Sequence, residues 1–327
     1  MEFEEAFDVF TKLFENKLNF EEAKELLISL YERGESETEI AAAATVMRNH
    51  MIKLPISNEL KNQVIDIVGT GGDKSKSINI SSTSAIILAS LDCYVAKHGN
   101  RAVTSNSGSA DMLEALGINL DLKAEQQVKM LEDLHYTFMF AKNHHPAMIY
   151  ITPVRNAIPH RTIFNMLGPI SSPAEARKYL IGVFSPEFNY RIAHALKYLN
   201  SPSSLVVSSL DGMDEISVSA VTKAMRITEE GIEEFEINPE DFGIKLYKKE
   251  EIIGGNAAQN AQITRGILDN TLKGAKRDIV LLNAAYALQT YKKARDAKEG
   301  LEMATMALEN GKASKKLKDI IHFSQTI

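Results

Sequence analysis

At 327 residues, with 44% hydrophobic and 24% charged residues, the chain has the length of two domains and an average globular composition, which excludes a disordered or fibrous protein. A formal net charge of -6 argues against a general nucleic-acid or membrane-surface binder, which needs surplus Lys and Arg to displace counterions, yet it leaves room for a local basic pocket. The single cysteine, Cys93, has no intramolecular disulfide partner and stands among Ile86, Ile87, Leu88, Leu91 and Val95, so a buried packing role in a reducing cytoplasm is expected.

The first sixty residues read as helices, because Phe7 and Leu13, then Ala23, Leu26, Leu27 and Leu30, recur at helical spacing. Asn19 precedes Glu22 by three residues and Ser36 precedes Glu39 likewise, the spacing of capping boxes, so each marks a helix start. The acidic opening (Glu2, Glu4, Glu5) is unlike a signal peptide and no apolar run reaches spanning length, so a soluble, unexported protein is expected. At 64–68 (Val-Ile-Asp-Ile-Val) the pattern changes to a β-branched run ending in glycines, which predicts a helical domain over 1–63 and an α/β domain over 64–327. Further strand-like segments at 93–96, 137–141, 180–184 and 205–209 alternate with helical patterns. Such alternation predicts a mostly parallel sheet covered by helices on both faces, with ligands at the carboxyl ends of its strands. The last seventy residues read as helices, with Ile279, Leu282, Ala285 and Leu288, and then Met303, Met306 and Leu308, as candidate core stripes.

Four segments carry chemistry. Residues 69–73 (Gly-Thr-Gly-Gly-Asp) follow a strand and precede a helix starting near Asn79, so they form either a tight turn or an anion cradle in which backbone amides approach a phosphate. They match neither the dinucleotide fingerprint nor the P-loop. Residues 97–101 (Lys-His-Gly-Asn-Arg) also follow a strand and continue through hydroxyl-rich 102–109 into a helix over 111–116. Two cations, an amide and several hydroxyls suit a doubly phosphorylated sugar better than a solvated basic turn does. Third is 144–148 (His-His-Pro-Ala-Met), leading through Arg155 to 161–165 (Arg-Thr-Ile-Phe-Asn) and 167–169 (Leu-Gly-Pro). The adjacent histidines lack a cysteine or third histidine at ligand spacing, which leaves packing or substrate contact ahead of a zinc site. Fourth is 211–217 (Asp-Gly-Met-Asp-Glu-Ile-Ser), where Asp214 and Glu215 suit a hard cation such as Mg²⁺, or form an ordinary acidic turn.

In this order the four segments resemble the anthranilate phosphoribosyltransferase family, whose marks are GTGGD, KHGNR, HHPAM followed by VR and RTxFNxLGP, and DEIS. The resemblance covers nearly the whole chain, including 237–243 (Ile-Asn-Pro-Glu-Asp-Phe-Gly) and the late helix around Asn283. It implies an α/β fold with a small all-helical domain, completed by a segment near 162–176, plus a larger α/β domain of the nucleoside phosphorylase and phosphoribosyltransferase type. It implies transfer of the phosphoribosyl group of phosphoribosyl pyrophosphate (PRPP) to the amino nitrogen of anthranilate, in cytoplasmic tryptophan biosynthesis, by a homodimer joined through the helical domain, with no nucleic-acid or membrane partner. By position, PRPP falls to Gly69, Thr70, Gly71, Gly72, Asp73, Ser77, Asn79, Ile80, Ser81, Ser82, Lys97, His98, Gly99, Asn100, Arg101, Ala102, Val103, Thr104, Ser105 and Ser109. Mg²⁺ falls to Ser81, Asp214 and Glu215, anthranilate to Gly69, Asn100 and Arg155, and catalytic parts to Arg155, Asn100 and His98. The chain departs from the family pattern at Asn106, where many relatives have lysine, at Pro159 and His160, and in the added charge of Lys74 and Lys76. A nucleoside phosphorylase of the same fold is the alternative enzyme, although its second loop lacks the His-Gly-Asn of 98–100. A non-catalytic nucleic-acid binder would need a basic face and leaves Asp214 and Glu215 unexplained.

Overall fold

The computed structural model describes residues 1–73, 75–102 and 107–327. Four helices come first: α1 (Phe3–Phe14), α2 (Phe20–Arg33), α3 (Glu37–Asn49) and α4 (Asn58–Gln63). Both capping boxes form in full. Glu22 N–H donates to Asn19 Oδ1 while Asn19 N–H donates to Glu22 Oε2, and Ser36 and Glu39 exchange the same pair of bonds. Glu39 is fully buried, and it also receives Arg33 and the amino terminus, so one carboxylate both starts α3 and ties down the end of the chain.

The α/β part runs β1 (Ile65–Gly69), α5 (Ile80–Ser90), β2 (Val95–Gly99), α6 (Ser109–Ala115), α7 (Ala124–Leu134), β3 (Tyr136–Phe140), α8 (Ala141–His144), α9 (Met148–Asn156), α10 (Phe164–Leu167), β4 (Lys178–Gly182), α11 (Glu187–Tyr198) and β5 (Ser203–Ser209). It continues through β6 (Thr222–Thr228), β7 (Ile232–Ile237), α12 (Ala257–Leu268), α13 (Ala275–Tyr291), α14 (Ala297–Glu309) and α15 (Lys312–Thr326). The sheet order is β3-β2-β1-β4-β5-β6-β7, with β1 to β5 parallel and β6 and β7 added antiparallel. β6 and β7 have no counterpart among the strand-like segments of the sequence. β6 and β7 carry no continuous apolar run, and β7 turns Glu233, Glu234 and Glu236 to solvent, which blunts the exposed sheet edge.

Side chains alternate across the strands, so Ile65, Ile67, Leu205 and Val207 enter a core with α5, α13 and α15. Val68, Ala96, Ile181 and Val206 enter a second core with α1, α3, α10 and α11. Helices therefore cover both faces, as the alternation of strand and helix patterns predicts. α1 and α2 touch α9, and α3 touches α10 and α11, so the partners of the first helices extend well beyond 162–176. Among the described residues no helix is long and apolar enough to cross a membrane. The chain lays β1, β2 and β3 outward in one direction, and then β4 lands on the other side of β1. That reversal opens a crevice at the carboxyl ends of β1 and β4, the place where sheets of this type bind ligands.

Candidate active site

The paired strands β1 and β4 end side by side at Gly69 and Gly182, and the loop after β5 crosses those ends. A Cβ on Gly182 would collide with the backbone of Asp214, and a Cβ on Gly69 would come within 2.5 Å of Asp214 Oδ2. Two glycines thus make room for one carboxylate. Thr70 N–H donates to Gly182 O at 2.9 Å and Gly71 N–H to Asp214 Oδ2 at 2.6 Å. Thr70 Oγ1 is buried without a hydrogen-bond partner among the described residues. Beyond it, Ser77 forms an isolated bridge to Ile253, and Asn79 leads into the first turn of α5, where Ile80, Ser81 and Ser82 lie at the positive end of the helix dipole.

Glu215 accepts from both the N–H and the hydroxyl of Ser81, at 3.2 Å and 2.5 Å. The next residue, Ile216, is clamped by the fully buried Asn283 of α13: Ile216 N–H donates to Asn283 Oδ1 at 3.0 Å and Asn283 Nδ2 returns a bond to Ile216 O at 2.8 Å. Burial, reinforced by the charges of Asp73 and Glu215, holds the Asp214 carboxyl well above the usual carboxylate range. Burial also pushes Glu215 up to about 7, against the Ser81 hydroxyl and the charge of Lys97. The buried Asp214 and the partly buried Glu215, two acids that resist ionising together, fit a cation. Among the described residues no three His, Cys, Asp or Glu side chains form a cage of their own. That suits Mg²⁺, which uses one or two carboxylates and fills its shell with water and substrate phosphate, so Ser81, Asp214 and Glu215 fit the ion the sequence implies.

The second loop differs from expectation at its two named cations and at its histidine. Lys97 is not a loop cation: its Nζ is buried and donates to Ile67 O at 2.6 Å, and burial lowers its pKa while Asp66, Glu215 and Asp214 oppose that shift. Arg101 turns to α6, pairing with Glu114 at 2.6 Å and Asp111 at 3.1 Å, with its guanidinium 5.5 Å from the Phe140 ring. His98 is not free to act on a substrate. Its Nδ1 faces Asp66 Oδ2 at 2.5 Å and its Nε2 faces Gly168 O at 2.7 Å, so both ring nitrogens are engaged by oxygen atoms of the protein. His98 is a buried clamp joining β1, β2 and the turn after α10.

Gly99 admits no side chain because a Cβ there would collide with Ser109 Oγ. Asn100 Oδ1 accepts Arg101 N–H at 2.9 Å, and its Nδ2 has no protein acceptor among the described residues. Ala102 N–H and Gly108 N–H both donate to Asp111 Oδ2, at 2.8 Å and 2.9 Å, and Ser109 Oγ donates to Asn100 O at 3.3 Å. One carboxylate therefore pins the two ends of the loop. Val103, Thr104, Ser105 and Asn106 lie outside the described residues, as does Lys74 of the first loop.

Arg155, on α9, has a half-buried guanidinium 5.4 Å from the Phe164 ring and no ion pair or side-chain hydrogen bond among the described residues. Burial lowers its pKa. Phe164 opens α10, and the turn that closes α10 is the one held by His98, so His98 and Arg155 grip the same short helix. For His145 the sequence leaves packing or substrate contact open, and for Asn283 it gives no site role. His145 is buried with both ring nitrogens unpartnered among the described residues, and burial pushes it down to about 3, so it is neutral. Its neighbour His144 spends Nδ1 on Ile52 O at 2.8 Å. Asn283 shows a weak signal, a polar residue inside the apolar run 279–288, whereas nothing in the sequence distinguishes His145 from His144. An open cavity of about 500 Å³, lined by Gly254, Gln259 and Lys276 among others, includes none of these groups.

Residues 61–314 match the family described as glycosyl transferase family, a/b domain, and residues 1–51 match glycosyl transferase family, helical bundle domain. The chain is 42% identical over 302 residues to the anthranilate phosphoribosyltransferase of Rubrobacter xylanophilus, covering 92% of this chain and 87% of the relative. It is 38% identical over 322 residues to that of Methanobrevibacter smithii, covering 98% and 95%. Its fold is similar to the crystal structure of anthranilate phosphoribosyltransferase (TrpD) from Thermus thermophilus, with a TM-score of 0.92 and 37% identity over 100% of this chain and 96% of that one. The Saccharomyces cerevisiae anthranilate phosphoribosyltransferase in complex with PRPP and Mg gives a TM-score of 0.87 at 25% identity, over 98% and 92% of the two chains.

Proposed function

The chain belongs to the anthranilate phosphoribosyltransferase family, and from that premise we propose which of its residues carry the transfer of the phosphoribosyl group of PRPP to the amino nitrogen of anthranilate. The observation that carries the assignment is the acidic pair Asp214 and Glu215, locked between a glycine loop and a helix start at the switch point of the sheet. Backbone amides of 69–73 and the first turn of α5 hold the phosphates from one side, and the 97–109 loop holds them from the other. Asp214, Glu215 and Ser81 would hold Mg²⁺, which would supply charge neutralisation for the departing pyrophosphate.

Arg155 takes the anthranilate carboxylate with two parallel hydrogen bonds, and Asn100 Nδ2 and the neutral His145 line the acceptor side. The aromatic amine is neutral at pH 7, so its lone pair attacks C1 without prior deprotonation while the C1–O bond to pyrophosphate breaks, and the proton then shed by nitrogen passes to water or to the released pyrophosphate. Positive charge grows on the ribose as in glycoside hydrolysis, with no covalent nucleophile and with inversion at C1. We take residues 1–63 as the helical domain, closing over 64–327 to exclude water. We place the protein in cytoplasmic tryptophan biosynthesis as a homodimer through its helical layer.

Anthranilate fluorescence followed with PRPP and Mg²⁺, omitting each in turn, tests the reading. Loss of fluorescence only when all three are present is expected. Phosphate-dependent cleavage of a nucleoside would favour the phosphorylase alternative, and PRPP consumption without anthranilate would overturn anthranilate as the acceptor.

A further inference from the structure

Beyond β7 the chain returns to the glycine loop. Ile78 N–H donates to Ile252 O at 3.1 Å, Gly254 N–H donates to Lys76 O at 2.8 Å, and Ser77 bridges to Ile253, so residues 252–255 form a strap along the end of that loop. A Cβ on Gly254 would come within 2.6 Å of Asn260 Oδ1 and 3.0 Å of Ser77 O. Glycine is what lets the strap lie between them. Asn260, in the first turn of α12, is 2% exposed and joins three segments. Its Oδ1 accepts Gly255 N–H at 2.7 Å, its Nδ2 donates to Asn79 Oδ1 at 2.9 Å, and Asn79 Nδ2 donates onward to Ser107 O at 3.3 Å. One relay therefore runs from the strap through the start of α5 to the end of the second loop.

The relay has a direction fixed at its source. A backbone N–H can only donate, so Asn260 must turn its oxygen to Gly255 and its NH₂ to Asn79. That occupies the oxygen of Asn79 and leaves its NH₂ facing the space between the loops, with two hydrogens of which Ser107 takes one. Beside a phosphate the difference decides binding, because an amide NH₂ attracts the anion and an amide oxygen repels it.

We propose that Asn260 is a positioning residue for PRPP, acting through Asn79 by fixing that amide with its donor, and not its acceptor, toward the anion site. The proposal rests on the assignment of Asn79 to PRPP made above. Asn260→Asp keeps the size and the oxygen that receives Gly255 but removes the donor, so Asn79 turns its NH₂ to the new carboxylate and its oxygen to the site. The KM for PRPP should then rise about ten- to a hundredfold while that for anthranilate stays within about twofold. Asn260→Ala, which lets Asn79 turn either way, should give a smaller rise of about threefold to tenfold, and it decides the matter if the buried carboxylate of the first variant prevents folding.

The control is a double-mutant cycle with Asn79→Ala, in whose background neither Asn260 variant should raise the PRPP KM further. An unchanged PRPP KM in folded Asn260 variants, equal rises for both substrates, or the same rise in the Asn79→Ala background would each overturn the proposal. If Asn79→Ala itself leaves the PRPP KM at the wild-type value, the assignment of Asn79 falls and the role of Asn260 falls with it. If Asn79→Ala raises the KM and the Asn260 variants do not, only the role of Asn260 falls.

Discussion

Arg155 is a cation drawn partly out of water with an aromatic ring beside it and no acid to pair with among the described residues, an arrangement that costs stability unless a ligand supplies the missing charge. A planar guanidinium matches a carboxylate with two parallel bonds, which an ammonium cannot do. Arg155→Ala should raise the KM for anthranilate far more than that for PRPP, with kcat/KM falling about tenfold to several hundredfold, and Arg155→Lys should recover little. Steady-state kinetics varying each substrate would remove the residue from the acceptor site if anthranilate KM and kcat were unaltered. At this scale the motifs located the right segments but not the direction of each side chain. Lys97 and His98 read as loop residues because glycine follows them, whereas β2 runs to Gly99 and sends the two side chains inward to opposite faces. The free nitrogens of His145 arise from what its neighbours fail to offer, which no local pattern encodes.

At the scale of elements, the glycine loop separates two reasons for having glycine. Gly182 and Gly69 are needed for room, since Asp214 fills the space where a Cβ would stand, whereas Gly71 and Gly72 have open surroundings and φ of +69° and +78°. Valine at 71 or 72 is therefore opposed by backbone conformation alone. Gly71→Val or Gly72→Val should leave the fold intact and weaken PRPP binding by at least roughly tenfold, because the amides can no longer line the cradle and Gly71 N–H leaves Asp214. Calorimetry giving unchanged PRPP affinity in a folded variant would rule out the cradle. Elements with a strong local signature were legible: the boxes at Asn19 and Ser36 start α2 and α3, and β1 to β5 are buried on both faces, each with a short apolar or β-branched stretch. β6 and β7 were not, because half-exposed strands bearing lysine, arginine and glutamate are stabilised by pairing with β5 rather than by their own composition.

The whole molecule links its site to its stability through the acids that the sheet and α5 enclose. Strand alternation made the layered architecture legible, but the return of β4 to the far side of β1, which creates the crevice, is a matter of tertiary packing. Enclosure there has a thermodynamic sign. An acid whose folded pKa lies above its unfolded value contributes fully to stability below the unfolded value and loses that contribution as pH rises through the folded one. Burial pushes Glu215 up to about 7 and holds Asp214 well above the carboxylate range, so both act in this sense. The metal-free protein should lose stability between about pH 4.5 and 7, on the order of 3 kcal/mol from Glu215 alone. Mg²⁺ requires the ionised carboxylates and the native fold together, so it should raise Tm more at about pH 8 than at about pH 5.5. Asp214→Asn combined with Glu215→Gln removes both effects. That variant should melt above the wild type at about pH 8 without metal, show no gain on adding Mg²⁺, and lose at least about 3 kcal/mol of transition-state stabilisation. Thermal melts across pH, with and without Mg²⁺, measure all of this. A gain from Mg²⁺ that is equal at both pH values, or that survives in the double variant, would place the ion elsewhere.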